Sequence, residues 1–236
     1  MDAEQVLLTM PLHAISEVYG EDGLRTRFAL EVARMPESAR PTLERALEFA
    51  SVLHRDDRRS REPYLNHLLR SAIRVMCYYG VDDVEVIVAT LLHDSVEDHA
   101  DELAGDREGD RTEAAVAELA QRYGPRVAEL VRAVTNPPRE PGVDRLEQYR
   151  QHIAHSLAAN PWARVIKASD FTDNGVGVIH SAPGLLSRMA TKYRPVVPIL
   201  RDLVARPDTP LTDAVKQHID EQLDLAEERF AAILDS

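Results

Sequence analysis

Only one cysteine, Cys77, stands in the whole sequence, so no internal disulfide can staple the fold. A lone thiol in an apolar stretch reads as a core residue and fits a reducing, cytoplasmic setting. No apolar run approaches the ~20 residues that span a bilayer. The first residues, Met-Asp-Ala-Glu-Gln, are acidic where a secretory leader carries basic ones. The expectation is a cytoplasmic chain with no membrane partner. Basic residues are outnumbered, 28 Lys and Arg against 40 Asp and Glu, which leaves a formal charge of −12. Long polyanions are bound by dense Lys and Arg, so nucleic acid is not an expected partner. A small phosphorylated ligand stays open to any local basic cluster. There is no GxxxxGK[ST] loop, no GxGxxG and no CxxC, which removes the usual signs of an NTPase, a dinucleotide fold and a zinc ribbon. Alternating β-branched runs and internal repeats are missing as well.

What is present is helical periodicity, almost from end to end. The pattern predicts helices at about residues 3–18, 22–34, 40–56, 63–79, 82–98, 111–122, 124–135, 144–159, 161–174, 185–205 and 211–234. Local punctuation marks several boundaries. Pro41 suits a first turn, and Asp82 and Asp83 after Gly80 suit an N-cap and first turn. Gly124-Pro125 separates two helices, and Asn136-Pro137-Pro138 ends another. Pro195 and Pro198 should kink or split the helix near Tyr193. The charged, Gly-containing segment 100–111 reads as a mobile surface loop, placed in sequence where a lid could form. The expected fold class is all-α, a single-domain bundle of about ten helices. Residues 1–37 would form an N-terminal helical extension, and residues 38–236 the main domain with a helical tail.

The string Leu91-Leu-His-Asp-Ser-Val-Glu-Asp98 is the most informative. From Val84 to Leu92 only Glu85 and Thr90 are polar, so this reads as a buried helix. At its end stand His93, Asp94, Glu97 and Asp98. On a continuous helix, spacings of three and four would put them on adjoining faces. Carboxylates at a helix C-terminus meet the wrong pole of its dipole, and burying them costs free energy unless a positive charge compensates. A divalent cation would reverse the local sign. A solvated acidic helix end is the alternative.

Three further segments stand out. Arg58 and Arg59 lie in the basic turn Arg55–Arg61, either facing phosphate or simply solvated. His67, in Pro63-Tyr-Leu-Asn-His67, is either a hydrogen-bonded core residue or a ligand. Asp170 closes the apolar run Arg164-Val-Ile-Lys-Ala-Ser-Asp170 and shares a face with Asn174. It is either a surface acid near an Asn174-Gly175 helix cap or a ligand.

Taken in order, these segments resemble the HD-domain phosphohydrolases, and within them the RelA/SpoT-type alarmone hydrolase domains. The likeness runs through Arg45-Ala-Leu-Glu-Phe-Ala50 leading to His54, then Arg58-Arg59 in place of Arg-Lys, and Pro63–His67. It continues with Leu91–Asp98, Gly124–Ala128 with Leu130-Val131, and Lys167-Ala-Ser-Asp170 with Asn174. It spans about residues 40–205. The short chain with a helical tail resembles the small stand-alone hydrolases. The resemblance implies an HD-domain helical bundle with His67, His93, Asp94 and Asp170 as metal ligands. The implied metal is usually Mn(II), though the donor types alone leave iron or zinc open. It implies Glu97 and Asp98 as the catalytic acids that handle the attacking water. Arg58, Arg59 and Asn174 would contact the substrate, a small phosphorylated nucleotide. The implied reaction is metal-dependent hydrolysis of the 3′-pyrophosphate of ppGpp or pppGpp to GDP or GTP plus pyrophosphate. The alternatives are another nucleotide substrate, such as an adenosine alarmone, a 5′-nucleotide or NADPH, or a non-catalytic nucleotide-binding domain.

The sequence departs from the family in two places. Leu68 replaces a proline after the histidine, a small change. More consequentially, the family's Asp-Arg-Leu-His-Asn-Met-Arg-Thr reads Asp170-Phe-Thr-Asp-Asn-Gly-Val-Gly177 here. Two arginine positions are Phe171 and Val176, and a threonine position is Gly177. Lys192 and Arg194, on a later helix, could compensate or simply be solvated.

Overall fold

A computed structural model describes residues 3–59 and 61–235. The chain divides into two compact units, the first running to Glu129 and the second from Leu130. The first holds α1 (Ala3–Thr9), α2 (Leu12–Val32), α3 (Arg40–Leu53), α4 (Leu65–Cys77), α5 (Val84–Leu91), α6 (Ser95–Ala104) and α7 (Arg111–Tyr123). The division falls within α8 (Pro125–Val134). The second unit holds α9 (Arg145–Ala159), α10 (Pro161–Gly175), α11 (Leu186–Tyr193), α12 (Val197–Val204) and α13 (Asp213–Leu234), with short 3-10 turns at Val176–His180, Pro183–Leu185 and Arg194–Val196. Among the described residues the only strand-like pairing is one isolated bridge, Arg58 to Pro63. The all-α expectation holds.

In the first unit α4 is buried from Leu65 to Met76. Helices α2 and α5 pack on it, α3 packs on α5, and α6 pairs with α7. A fully buried charge sits in this layer: Arg70 donates to both Glu62 oxygens, at 2.6 and 2.8 Å, and to Ser16 Oγ at 2.8 Å. Those charge-assisted bonds replace the hydration that burial removes. In the second unit α13 packs on α10, α11 and α12, and α9 on α10 and α12. Its core joins Phe171 edge-on to Tyr193 and Phe230, with ring centroids 5.9 and 6.4 Å apart.

Most boundaries follow the chemistry of single residues. Asp83, Asp110, Asp144, Asn160 and Thr212 each accept backbone N–H groups at a helix start. The prolines after Tyr193 split the predicted 185–205 helix, and α11 ends at Tyr193. Several smaller expectations need correcting. The predicted 3–18 helix is broken at Met10-Pro11, and the predicted gap before residue 22 is instead a kink inside α2, where Gly20 takes φ 65°. Segment 100–111 is helical to Ala104. The remaining turn is tied down by Arg111, which bonds Asp101, Gly105 and Arg107. Cys77 is half-buried at the end of α4 rather than a core residue, and partial burial pushes its thiol up to about 11.

The largest correction concerns the predicted 82–98 helix. It is two helices, with Leu92, His93 and Asp94 between them. Thr90 O, one of the carbonyls left over at the end of α5, lies 2.8 Å from His93 Nδ1. The imidazole takes the place of the backbone N–H that a continuing helix would supply.

Candidate metal centre

The break between α5 and α6 turns His93 inward against α4. His93 Nδ1 donates to Thr90 O, which leaves Nε2 as the lone-pair nitrogen. That nitrogen lies 3.2 Å from His67 Nε2 on α4. Asp94 Oδ2 lies 3.1 Å from His93 Nε2 and 3.5 Å from His67 Nε2. Both imidazoles are buried, at 0% and 2% exposure, while Asp94 is partly open. Ligand bonds of about 2.1 Å to a divalent ion place neighbouring ligand atoms about 3.0–3.4 Å apart. Two nitrogens and one oxygen at 3.1–3.5 Å therefore match the edges of a coordination polyhedron. The donor set fits a mid-row divalent metal.

Tyr64, at the start of α4, donates its hydroxyl to Asp94 Oδ2 at 2.7 Å. A hydrogen bond to a ligating carboxylate is the usual outer support of such a site. Burial and the Asp94 charge both raise the pKa of this phenol, so it stays a donor. Sequence reasoning quoted Tyr64 in its string but gave it no role. The signal lies in position, three residues before a ligand on the same helix.

Glu97 and Asp98 occupy the first turn of α6 and keep exposed surface. Because α6 begins at Ser95, these carboxylates sit at a helix N-terminus, the favourable pole, not at the C-terminal pole expected from the sequence. Neighbouring protein still desolvates Asp98, and with the Asp94 and Glu97 charges this pushes its carboxyl up to about 6. Arg59 lies over the Tyr64 ring, with its guanidinium carbon 5.1 Å from the centroid, while Arg58 points its exposed side chain from the bridged turn.

Asp170 and Asn174 belong to the second unit and lie on α10. Asp170 is buried, its Oδ2 is 2.7 Å from Lys167 Nζ, and its Oδ1 accepts from Asn174 Nδ2 at 2.5 Å. The surface-acid reading of Asp170 is thereby excluded. Asn174, expected to touch the nucleotide, donates its amide to Asp170. Lys167 is a further residue that sequence reasoning quoted without a role.

An HD-domain family model matches residues 46–159, a span that holds His67, His93, Asp94, Glu97 and Asp98. The chain is 32% identical over 157 residues to a guanosine-3′,5′-bis(diphosphate) 3′-pyrophosphohydrolase of Aquifex aeolicus (strain VF5), which covers 66% of this chain and 20% of that protein. It is 32% identical over 137 residues to the Danio rerio protein named guanosine-3′,5′-bis(diphosphate) 3′-pyrophosphohydrolase MESH1, covering 56% of this chain and 67% of that one. The Mus musculus MESH1 protein is also 32% identical, over 53% of this chain and 63% of its own length. The chain thus spans a fifth of the bacterial relative and about two thirds of the animal ones. Among solved structures, that of a metazoan ortholog of SpoT that hydrolyzes ppGpp matches with a TM-score of 0.56 and 22% identity, over 78% of this chain and 94% of that one, a likeness of fold. With two thirds of the Danio rerio protein covered at this identity, and an HD-domain match, the chain belongs to the HD-domain family of MESH1-type pyrophosphohydrolases.

Proposed function

We propose that this chain hydrolyses the 3′-pyrophosphate of guanosine alarmones, turning ppGpp or pppGpp and one water into GDP or GTP and pyrophosphate. The observation that carries the proposal is the coincidence of two things. An HD-domain family model covers residues 46–159, and within that span His67, His93 and Asp94 converge at ligand spacing. The HD hydrolase family depends on a divalent metal. Here His67, His93 and Asp94 would hold it, Asp170 is proposed as a further ligand on the family likeness alone, and Mn(II) is the proposed ion. Bound there, a divalent ion lowers the pKa of water and neutralises charge growing on phosphoryl oxygens.

The chain's own groups do the rest. Tyr64 holds Asp94 in its ligating orientation. Glu97 and Asp98 stand just beyond Asp94 on α6 with exposed carboxylates, placed to accept the water's proton as its oxygen attacks the phosphorus. The bond that breaks joins that phosphorus to the ribose 3′ oxygen, which leaves with a proton as the hydroxyl of GDP or GTP. Arg58 and Arg59 bring positive charge to an acidic chain and would grip the phosphates or the base through forked hydrogen bonds. Asn174 is proposed, on the family likeness, to contact the nucleotide. The proposed setting is cytoplasmic, with a small nucleotide rather than nucleic acid as partner. No described helix is long and apolar enough to cross a membrane. Residues 1–37 are proposed as an N-terminal extension to a domain running 38–236.

One observation favours a second reading, an HD phosphohydrolase acting on a different nucleotide. Phe171, at a family arginine position, is 1% exposed and packed against Tyr193 and Phe230. Val176, at the other, offers its carbonyl to Arg229. Phe171 belongs to the interior of the second unit, Val176 is half-buried, and neither contributes a cation. The test is to offer the purified chain with Mn(II) a panel of ppGpp, pppGpp, NADPH and nucleoside monophosphates. Release of pyrophosphate from the guanosine alarmones is expected. Their survival while another member is cleaved would select the second reading, and metal binding without any turnover would leave only a nucleotide-binding role.

A further inference from the structure

A second constellation lies in the first unit, and the reaction does not use it. His54 caps the end of α3, Asp57 follows in the basic turn, and His99 sits where α6 departs from helical geometry, at φ −129° and ψ 30°. Asp57 Oδ2 lies 2.7 Å from His54 Nδ1 and 2.6 Å from His99 Nε2. One ligand atom from each residue falls within 4.8 Å of the other two. The His54 and His99 rings meet edge to face at 4.6 Å.

Two details point beyond a hydrogen-bonded triad. On its far side, His99 Nδ1 is 3.4 Å from Glu102 Oε2. An imidazole that binds metal through one nitrogen characteristically offers its other N–H to a carboxylate. The His54 side chain is completely buried, and its Nε2 has no hydrogen-bond partner. Two imidazole nitrogens and one carboxylate oxygen, with partly exposed Asp57 leaving room for water, form a three-ligand set of the zinc type.

We propose that His54, Asp57 and His99 bind a second divalent cation of the zinc class, separate from the ion held by His67, His93 and Asp94. It would tie the turn carrying Arg58 and Arg59 to the helix carrying Glu97 and Asp98. The Tyr64 ring lies between the two centres: it stacks on His54 at 5.1 Å, and its hydroxyl reaches Asp94. The second ion is thus positioned to influence where the arginines stand without touching substrate.

The test uses the full chain, stripped with chelator and reloaded with Zn(II) or with Co(II), whose visible bands report ligand geometry. Metal content is counted per folded chain. Two ions are expected in the unaltered protein, one in Asp57→Asn and in His99→Gln, and one in His93→Gln. Both substitutions in the second centre are at partly exposed side chains, and far-UV circular dichroism verifies that each variant is folded. A single ion that survives His99→Gln and Asp57→Asn overturns the proposal, as do two ions that survive both. A single ion lost in His99→Gln but kept in His93→Gln supports it while overturning the first centre, so the two claims fail separately.

Discussion

Asp94 and Asp170 both follow apolar runs, and each unit of the molecule holds its carboxylate in a different way. In the second unit Asp170 has a lysine at 2.7 Å and an asparagine amide at 2.5 Å, so its compensation comes from its own helix. Nearby on α10, fully buried Arg164 is likewise paired, with Asp208 at 2.6 Å. In the first unit Asp94 faces a phenol and two imidazole nitrogens, with Glu97 and Asp98 following on the next helix turn. Three carboxylates in five residues repel one another, as the raised Asp98 carboxyl records. One unit carries its cation in the sequence. The other presents the proposed metal site, which would take its cation from solution. What surrounds the two acids differs, although the residues before each look alike.

The strongest way to break that contrast is Asp94→Ala. Removing the oxygen that faces both histidines should abolish metal binding at the first centre and, with it, several kcal/mol of transition-state stabilisation, more than about a hundredfold in kcat. The helices should persist, because Asp94 lies in a break rather than in a helix. Metal content, turnover and circular dichroism read this together. Manganese retained in a folded variant refutes the ligand assignment.

The matching change in the second unit is Lys167→Met. It removes the cation beside Asp170 and keeps most of the side-chain bulk, leaving a buried carboxylate without its ion pair. Breaking such a pair costs about 3–5 kcal/mol, which a urea titration reads as a lower midpoint. If Asp170 is also a metal ligand, added Mn(II) should restore more stability to this variant than it gives the unaltered chain. Equal effects of Mn(II) on both would argue that Asp170 is a structural acid only.

These two residues also show how far the sequence could be read. Helical periodicity and punctuation by proline, glycine and short polar caps were enough to place most elements, because those signals act within a few residues. Asp83 as an N-cap and the split at Tyr193 are of this kind. The break at His93-Asp94 was not legible. The apolar pattern runs on into Val96 without glycine or proline, and the interruption depends on a ring nitrogen meeting the carbonyl of Thr90. Its consequence, Glu97 and Asp98 at the favourable pole of a new helix, was equally hidden. Candidate ligands His67 and His93 were found by family likeness, since 26 residues separate two nitrogens that end 3.2 Å apart. The His54–Asp57–His99 cluster joins residues 42 apart and carries no local pattern. Lys167 lay in plain view, but its pairing with Asp170 required knowing that both are buried.

A finer test of the first unit is Tyr64→Phe, which keeps the ring against His54 and deletes only the hydrogen bond to Asp94 Oδ2. Loss of such outer support costs about 10–100-fold in metal affinity. At saturating Mn(II) the turnover number should stay near that of the unaltered chain, because the ligands are intact. A large drop in kcat that metal cannot rescue would instead place the phenol in the chemistry.

The smallest effect is expected where a carboxylate is paired at the surface, a third condition beside the two buried ones. Asp83 caps α5 and receives Arg126 at 2.6 and 3.0 Å, while Arg126 also reaches Glu85 at 2.7 Å. Partial burial acts to raise the Asp83 carboxyl, but the Arg126 hydrogen bonds and charge outweigh it and hold the pKa below the ordinary range. Asp83→Asn keeps a cap and loses the charge, so about 1 kcal/mol of stability should go. The figure is kept small because Arg126 is 37% exposed and solvent screens the pair. The sign with pH follows from the depressed pKa. The contribution is complete above the unfolded carboxyl value of about 3.9 and disappears as pH falls through the lower folded value. The stability difference between the unaltered chain and Asp83→Asn should therefore be constant near neutrality and shrink on acidification, and raised salt at neutral pH should reduce it. A difference that persists into acid, or ignores salt, would mean that the cap rather than the ion pair stabilises α5.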